Sequence, residues 1–277
     1  MAFPVGARCG SLVLGAVASL ALGLAVAPAV AQSAKPSFVG AGAFNVCTDA
    51  TFPPMEYFVK SGDAEPAGFD IDLAKALAKR WSVAAKFFVM DFSGLLPSLE
   101  AKRCDAVISG ILLNEERLKT FDGAAYLSTY GILIGKKGTP AVAKAEELAG
   151  KTIAVQTGTS YIDIVKKMND DLVKASLKPM EVQQYPKASD VVQQVLVGRA
   201  FAGTTQDTEL AFREAEDPGK FALVYTIPGA RQFGIFTRKN EADTAAVKTA
   251  VRDLAADGTL PAIATRWKLS AEQIAKQ

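Results

Sequence analysis

From about residue 44 the chain alternates two hydrophobic periods, short runs of strand type and longer stretches with a one-sided helical stripe. "FNVCTDA" (44–50), "AAKFFVM" (84–90) and "DAVISG" (105–110) read as strands. Between them, "GFDIDLAKALAKRW" (68–81) puts Phe69, Leu73, Ala76 and Leu77 on one face, with Asp70 placed to cap and Lys79 and Arg80 at the negative end. "SGLLPSLEAKR" (93–103) reads as a second helix, with Pro97 early, where a missing N–H costs little.

The second half repeats the logic without repeating the residues. "KTIAVQ", "MEVQQY" and "AFAGTT" read as strands; "GTSYIDIVKKM", "ASDVVQQVLVGR" with Ser189 as cap, and "TELAFREAE" read as turns into helices. "KFALVYT" and "RQFGIFTRK" read as two further strands, and two helices end the chain. Alternation of this kind predicts an α/β fold with largely parallel sheets. Two βα sets of similar size predict two lobes. "YLSTYGILIGKKG" with Gly131 and a later extended segment with Gly234 fit crossing strands, which returns the last helices to the first lobe. The expected division is 32–130 with 231–277 as lobe 1, and 131–230 as lobe 2 with hinge strands at its ends.

Residues 1–31 stand outside that pattern. Arg8, the apolar run "SLVLGAVASLALGLAVA" and small residues before Gln32 read as a signal peptide cleaved after Ala31, which implies export; a membrane anchor is the alternative. The 277 residues carry a formal charge of +2 without a basic stripe, which argues against nucleic acid as partner. There is no histidine, so imidazole bases, histidine triads and the usual zinc ligands are excluded. No metal or other cofactor is expected.

In open α/β sheets ligands sit at the carboxyl ends of strands. There the sequence offers Asp49, Phe52 and Tyr57 after one strand and Phe92 after the next; the phenylalanines either face a flat ligand or belong to the core. In "NEERLK" Asn114 can cap a short helix, and Arg117 falls in its first turn, where the helix dipole disfavours a cation. A guanidinium there suits a carboxylate, and a surface salt bridge is the alternative. "QTGTSY" sets Gly158, Thr159 and Ser160 at a strand-to-helix turn fit for an anion, without the lysine of a phosphate loop. "TTQDTE" adds Gln206, Asp207 and Glu209. An acid there would complete a cleft for a zwitterion.

"GFDIDLAKALAKR", "LLPSLEAKRCDAVISG", "NEERLKTFDG", "GKTIAVQTGTS" and "ADGTLPAIATRW", in this order, resemble the polar amino-acid family of periplasmic solute-binding proteins of ABC importers, over essentially all of the chain after residue 31. The resemblance implies a type II two-lobed periplasmic binding fold that closes on one amino acid. It implies that Arg117 binds the α-carboxylate with amides near Thr159, that Phe52 and Phe92 pack on the ligand side chain, that Asp49 lies near its end, and that Ser109 and Gly110 line the site. An inner-membrane permease as partner follows from the same likeness; the cleavable leader makes the periplasm the expected location, and nothing in the sequence demands more than a monomer.

Two positions depart from the family pattern. Leu112 stands where a serine or threonine is usual, and Gln206 where the ammonium-binding aspartate falls, with Asp207 one place late unless a bulge restores it. Both weaken the expectation of an ordinary α-amino acid and leave a derivatised amino acid or a related carboxylate open. The alternative to transport is an exported cyclohexadienyl (prephenate or arogenate) dehydratase on the same scaffold, with Glu209 as general acid; a sensory domain would need a fused module. Counted back along parallel strands from Asp49 and Ser109, Cys47 and Cys104 are offset by three residues, roughly 10 Å, which predicts free buried thiols.

Overall fold

The computed structural model describes residues 1, 2, 6, 34–40 and 42–276, so the predicted leader lies almost entirely outside the described residues. Among the described residues no helix is long and apolar enough to cross a membrane. The first part of the chain runs β1 (Ala43–Thr48), a small ribbon of β2 (Thr51–Phe52) and β3 (Glu56–Tyr57), α1 (Phe69–Arg80), β4 (Ala84–Val89), α2 (Leu95–Glu100), β5 (Ala106–Val107) and α3 (Glu115–Thr120). A long strand β6 (Phe121–Lys136) leads to β7 (Thr152–Gln156), α4 (Tyr161–Lys174), β8 (Glu181–Tyr185), α5 (Ala188–Leu196), β9 (Ala202–Gln206) and α6 (Asp207–Glu216). An equally long β10 (Phe221–Arg238) is followed by α7 (Glu241–Ala256) and α8 (Thr259–Arg266).

The sheet order is β4-β1-β5-β10-β6-β9-β7-β8. β1 is parallel to β4 and β5, and β7 is parallel to β8 and β9, while the central pair β6 and β10 is antiparallel. Two parallel strand sets flanking two long antiparallel strands make a two-lobed α/β fold. β10 joins what the sequence suggested as two strands. Its register against β6 shifts between Thr226 and Ala230, so Ile227, Pro228 and Gly229 bulge opposite Gly131. The helices α7 and α8 pack on α1, far from them in sequence.

The helix α1 forms on its predicted stripe: Phe69, Leu73 and Leu77 are buried. Its N-cap, however, is Gly68, and Asp70 turns inward instead of capping. Gly68 has φ 139°, and a Cβ there would collide with the Met55 carbonyl. Gly68→Ala is expected to lower stability by about 2 kcal/mol or more, read as a drop in the urea midpoint. Ser189 likewise is not a cap: α5 begins at Ala188, and its N-cap, Lys187, lies two residues before Ser189. Asn114 does cap α3, accepting from the Arg117 N–H at 2.8 Å.

An aromatic column ties the helix layer to the cleft. Phe69 stacks on Tyr126 (5.8 Å between ring centroids), Tyr126 on Phe233 (6.1 Å), and Phe233 meets the edge of Phe52 (6.2 Å).

The expectation of free thiols is corrected. Cys47 and Cys104 are buried and joined by a disulfide, with Cα atoms 5.8 Å apart. The three-residue offset assumed a straight strand through Cys104. In fact β5 holds two residues, paired Val46 with Ala106 and Cys47 with Val107, and Cys104 lies before it in the turn leaving α2. There Lys102 takes a left-handed φ of 60° and the Arg103 N–H bonds to Ser98 O, so the chain folds back over β1. The bend removes the distance that a straight strand would impose.

Candidate functional site

The carboxyl ends of the two strand sets face one another around a space of about 480 Å³, part of it open to solvent. Asp49 and Phe52 reach it from the end of β1, Phe92 from the turn after β4, and Ser109, Gly110 and Leu112 from the loop after β5. Arg117 comes from α3. From the other side come Thr159 and Gln206. Nine of the eleven residues predicted from sequence thus meet at one cavity, and Gly158 and Asp207 do not line it.

Arg117 is half-buried, and its side chain is spread between the two halves of the site. Nη1 donates to Leu112 O (2.7 Å), Nη2 to Gly158 O (3.2 Å), and the guanidinium lies 5.8 Å from the Phe92 ring. Among the described residues no carboxylate stands within ion-pair distance of it. Burial lowers its pKa to about 10, with Asp163 acting the other way, so it remains a cation at neutral pH. A desolvated guanidinium lining a cavity and bonded to neutral carbonyls can pair with a planar anion such as a carboxylate.

Asp49 is buried, and burial raises its pKa to about 6 against the opposing hydrogen bonds of Gln156 and Thr51. Behind it runs a chain of polar groups. Ser109 Oγ accepts from the Asp49 N–H (2.8 Å) and donates to Glu56 Oε1 (3.0 Å). Asp70 Oδ2 accepts from the Gly110 N–H (2.6 Å) and the Tyr126 hydroxyl (2.8 Å). Among the described residues Glu56 Oε2 and Asp70 Oδ1 have no N–H or O–H donor, and the two carboxyls are in hydrogen-bond contact. A proton on Glu56 satisfies both oxygens. Burial, then Asp70, hold the Glu56 carboxyl well above its ordinary value, and burial raises Asp70 to about 6.

The pair predicts an asymmetry. Glu56→Gln replaces a protonated carboxyl by an amide of the same shape and is expected to change stability by less than about 1 kcal/mol, whereas Asp70→Ala strips three donors of their acceptor and costs about 3 kcal/mol. The pH dependence has a definite sign. Asp49, Glu56 and Asp70 all stand above their ordinary values, so the folded protein binds more protons than the unfolded chain; their contribution is full below the unfolded values near 4 and is lost as pH rises through the folded ones. The urea midpoint of Glu56→Gln is therefore expected to fall less between pH 5 and pH 8 than that of the parent.

At the end of β9 the alternation runs unbroken, with Gly131 opposite Gln206 and Ile132 opposite Thr205. Gln206 lines the cavity, and no bulge brings Asp207 to it. Asp207 Oδ1 instead accepts from Thr129 Oγ1 (2.6 Å), the Tyr130 N–H (3.1 Å) and the Thr208 N–H (2.9 Å), fixing α6 to β6. Gly158 contributes through its carbonyl on Arg117. The Thr159 N–H and Oγ1 both turn back onto Gln156 O (3.3 and 2.8 Å). Glu209, the acid of the enzymatic alternative, is buried with Oε1 on Arg213 Nε (3.0 Å) and Nη2 (2.6 Å) and Oε2 on Thr205 Oγ1. Committed to these partners, Glu209 does not line the cavity. Tyr57 packs against Phe212 and Trp267, away from the cavity.

Several lining residues escaped the sequence reading: Glu56, Gln156, Tyr161, Ala188, Thr204 and Thr205, with Ser160 noted there only as part of an anion-binding turn. Gln156, Thr204 and Thr205 close strands β7 and β9, and the rule of strand carboxyl ends, applied to every strand, would have found them. Glu56 gave no such signal.

The fold and the site define a two-lobed binding protein with its ligand cavity in the cleft. The chain belongs to the bacterial extracellular solute-binding proteins, family 3, whose sequence model matches residues 44–270. The L-cystine-binding protein TcyJ of Escherichia coli (strain K12) is 27% identical over 256 residues, 88% of this chain and 92% of the relative. Among solved structures, an ancestral arginine-binding protein bound to arginine is 31% identical with a TM-score of 0.73, covering 82% of this chain and 98% of its own. An ancestral amino acid-binding protein described as a precursor of cyclohexadienyl dehydratase is 26% identical with a TM-score of 0.71, covering 82% and 95%.

Proposed function

We propose that this protein is the periplasmic substrate-binding component of an ABC importer and that it captures an amino acid or a closely related carboxylate between its lobes. The observation that carries the reading is Arg117: a cavity-lining guanidinium between two carbonyls, with no carboxylate of the described residues paired to it. The ligand carboxylate takes that place, bonded by the guanidinium fork and by amides at the start of α4, while Phe52 and Phe92 pack on the rest of the ligand. Lobe 1 comprises 32–130 with 231–277 and lobe 2 comprises 131–230. Bending at Gly131 and the facing bulge opens and closes the cleft. The closed form is what an inner-membrane permease recognises. Residues 1–31 direct export, and the protein acts as a monomer that binds without turnover.

The experiment is a calorimetric and thermal-shift screen of the purified protein against amino acids, N-acyl amino acids, opines and prephenate, each mixture then checked for product. Saturable binding of a carboxylate without product supports the reading. Turnover of prephenate, or no carboxylate ligand at all, sinks it.

A further inference from the structure

Two groups from the second strand set cross the cleft and bond directly to the first. Gln156 Nε2 donates to Asp49 Oδ2 at 2.6 Å and to Pro186 O at 3.2 Å. Both partners are acceptors, so the amide's NH₂ must face Asp49 whichever way the side chain is assigned. On its own side, Asp49 takes the Thr51 hydroxyl on both oxygens at 3.1 Å, and Thr51 accepts in turn from the Ala188 N–H at 3.1 Å. The carboxylate that would meet a cationic side chain is thus covered from both sides. The other lining carboxyl, Glu56, is spent on Ser109 and Asp70.

What the cavity leaves without partners is neutral. Tyr161 and Thr204 line the cavity, and their buried hydroxyls have no hydrogen-bond partner among the described residues. They stand with the Gln206 amide on the same side. Uncharged donors and acceptors on a ligand satisfy such groups at no cost in buried charge. A cationic side chain would instead have to displace the Gln156 amide or be buried as a second positive charge beside Arg117.

We infer that Gln156 is a specificity-determining residue: by holding Asp49 across the cleft it closes the pocket to carboxylates with a cationic side chain and leaves it for those whose side chain is uncharged and hydrogen-bonding. The inference rests on the proposed function, with the ligand carboxylate at Arg117. It runs against the arginine that a similar solved structure carries.

The test is isothermal titration calorimetry with L-arginine and L-glutamine, each also as its N-acetyl form, on the parent protein, Gln156→Met and Gln156→Met/Asp49→Asn. The parent is expected to favour the glutamine ligand by about tenfold or more. Gln156→Met, which keeps side-chain length and loses the donor, is expected to shift the ratio toward arginine by a similar factor, and adding Asp49→Asn to cancel the shift. A parent that binds arginine as well as glutamine overturns the inference while leaving the proposed function standing. So does an unmoved ratio in a Gln156→Met protein whose circular-dichroism melt is intact. Should that variant not fold, Gln156→Asn, which withdraws the amide by one methylene, is held to the same shift. A parent that binds none of the four ligands also overturns the inference, and the wider carboxylate screen decides the proposed function separately.

Discussion

Arg117→Ala is expected to weaken binding of the carboxylate ligand by about two orders of magnitude or more, because truncating one partner of a desolvated charge pair costs about 2–5 kcal/mol. The same change is expected to leave the unliganded fold near its original stability. Among the described residues Arg117 has no ion pair to lose, its burial disfavours its charge, and its two bonds go to neutral carbonyls. Arg117→Lys tests the geometry separately: a point charge retains attraction but not the planar fork, so affinity falls between the parent and the alanine variant. Calorimetric titration with any ligand found in the screen, alongside circular-dichroism melts, reads both quantities. Unchanged affinity in a folded Arg117→Ala protein would move the carboxylate site elsewhere.

Replacing Cys47 and Cys104 together by alanine, or reducing their bridge, is expected to lower stability by about 2–4 kcal/mol. The disulfide spans a sequence separation of 57 and sits among Leu95, Leu99, Phe121 and Phe236 in a small core of its own. The closed loop contains α1, β4 and α2, and with them Asp49, Phe52 and Phe92. Loss of the bridge therefore loosens one wall of the cavity as well as the global fold. Urea unfolding with and without reductant measures the first effect, and ligand affinity under the same conditions the second. Equal midpoints would show that the bridge contributes nothing.

The alternation of periods carried the fold because most elements, α1 and β7 among them, have a one-sided or nearly fully buried pattern that one local structure satisfies. Where it misled, the reason was a contact made from outside the element. Asp70 looks like a cap, yet Gly110 and Tyr126, 40 and 56 residues on, recruit its carboxylate into the core. Cys104 looks too distant from Cys47 because a turn with a left-handed residue is invisible to strand arithmetic. Arg117 stood out in the sequence because a cation in a predicted first turn conflicts with the helix dipole, but α3 is so short (Glu115–Thr120) that Arg117 also falls in its last turn, where a cation is favoured. Gln156 carried no such conflict. A glutamine at a strand end is unremarked until the opposite lobe sets a carboxylate 2.6 Å away.

The strand order also bears on how the molecule is made. Val107 of β5 pairs with Phe236, and α1 packs under α7 and α8, so the first strand set lacks its inner neighbour and half its helix layer until nearly the whole chain exists. The second set is continuous in sequence from β7 to β9. As the polypeptide emerges N-terminus first, the later-made half is the one able to complete itself, while the earlier half waits with an open sheet edge, a slow, non-local closure of the kind that exposes a chain to aggregation and to holding chaperones.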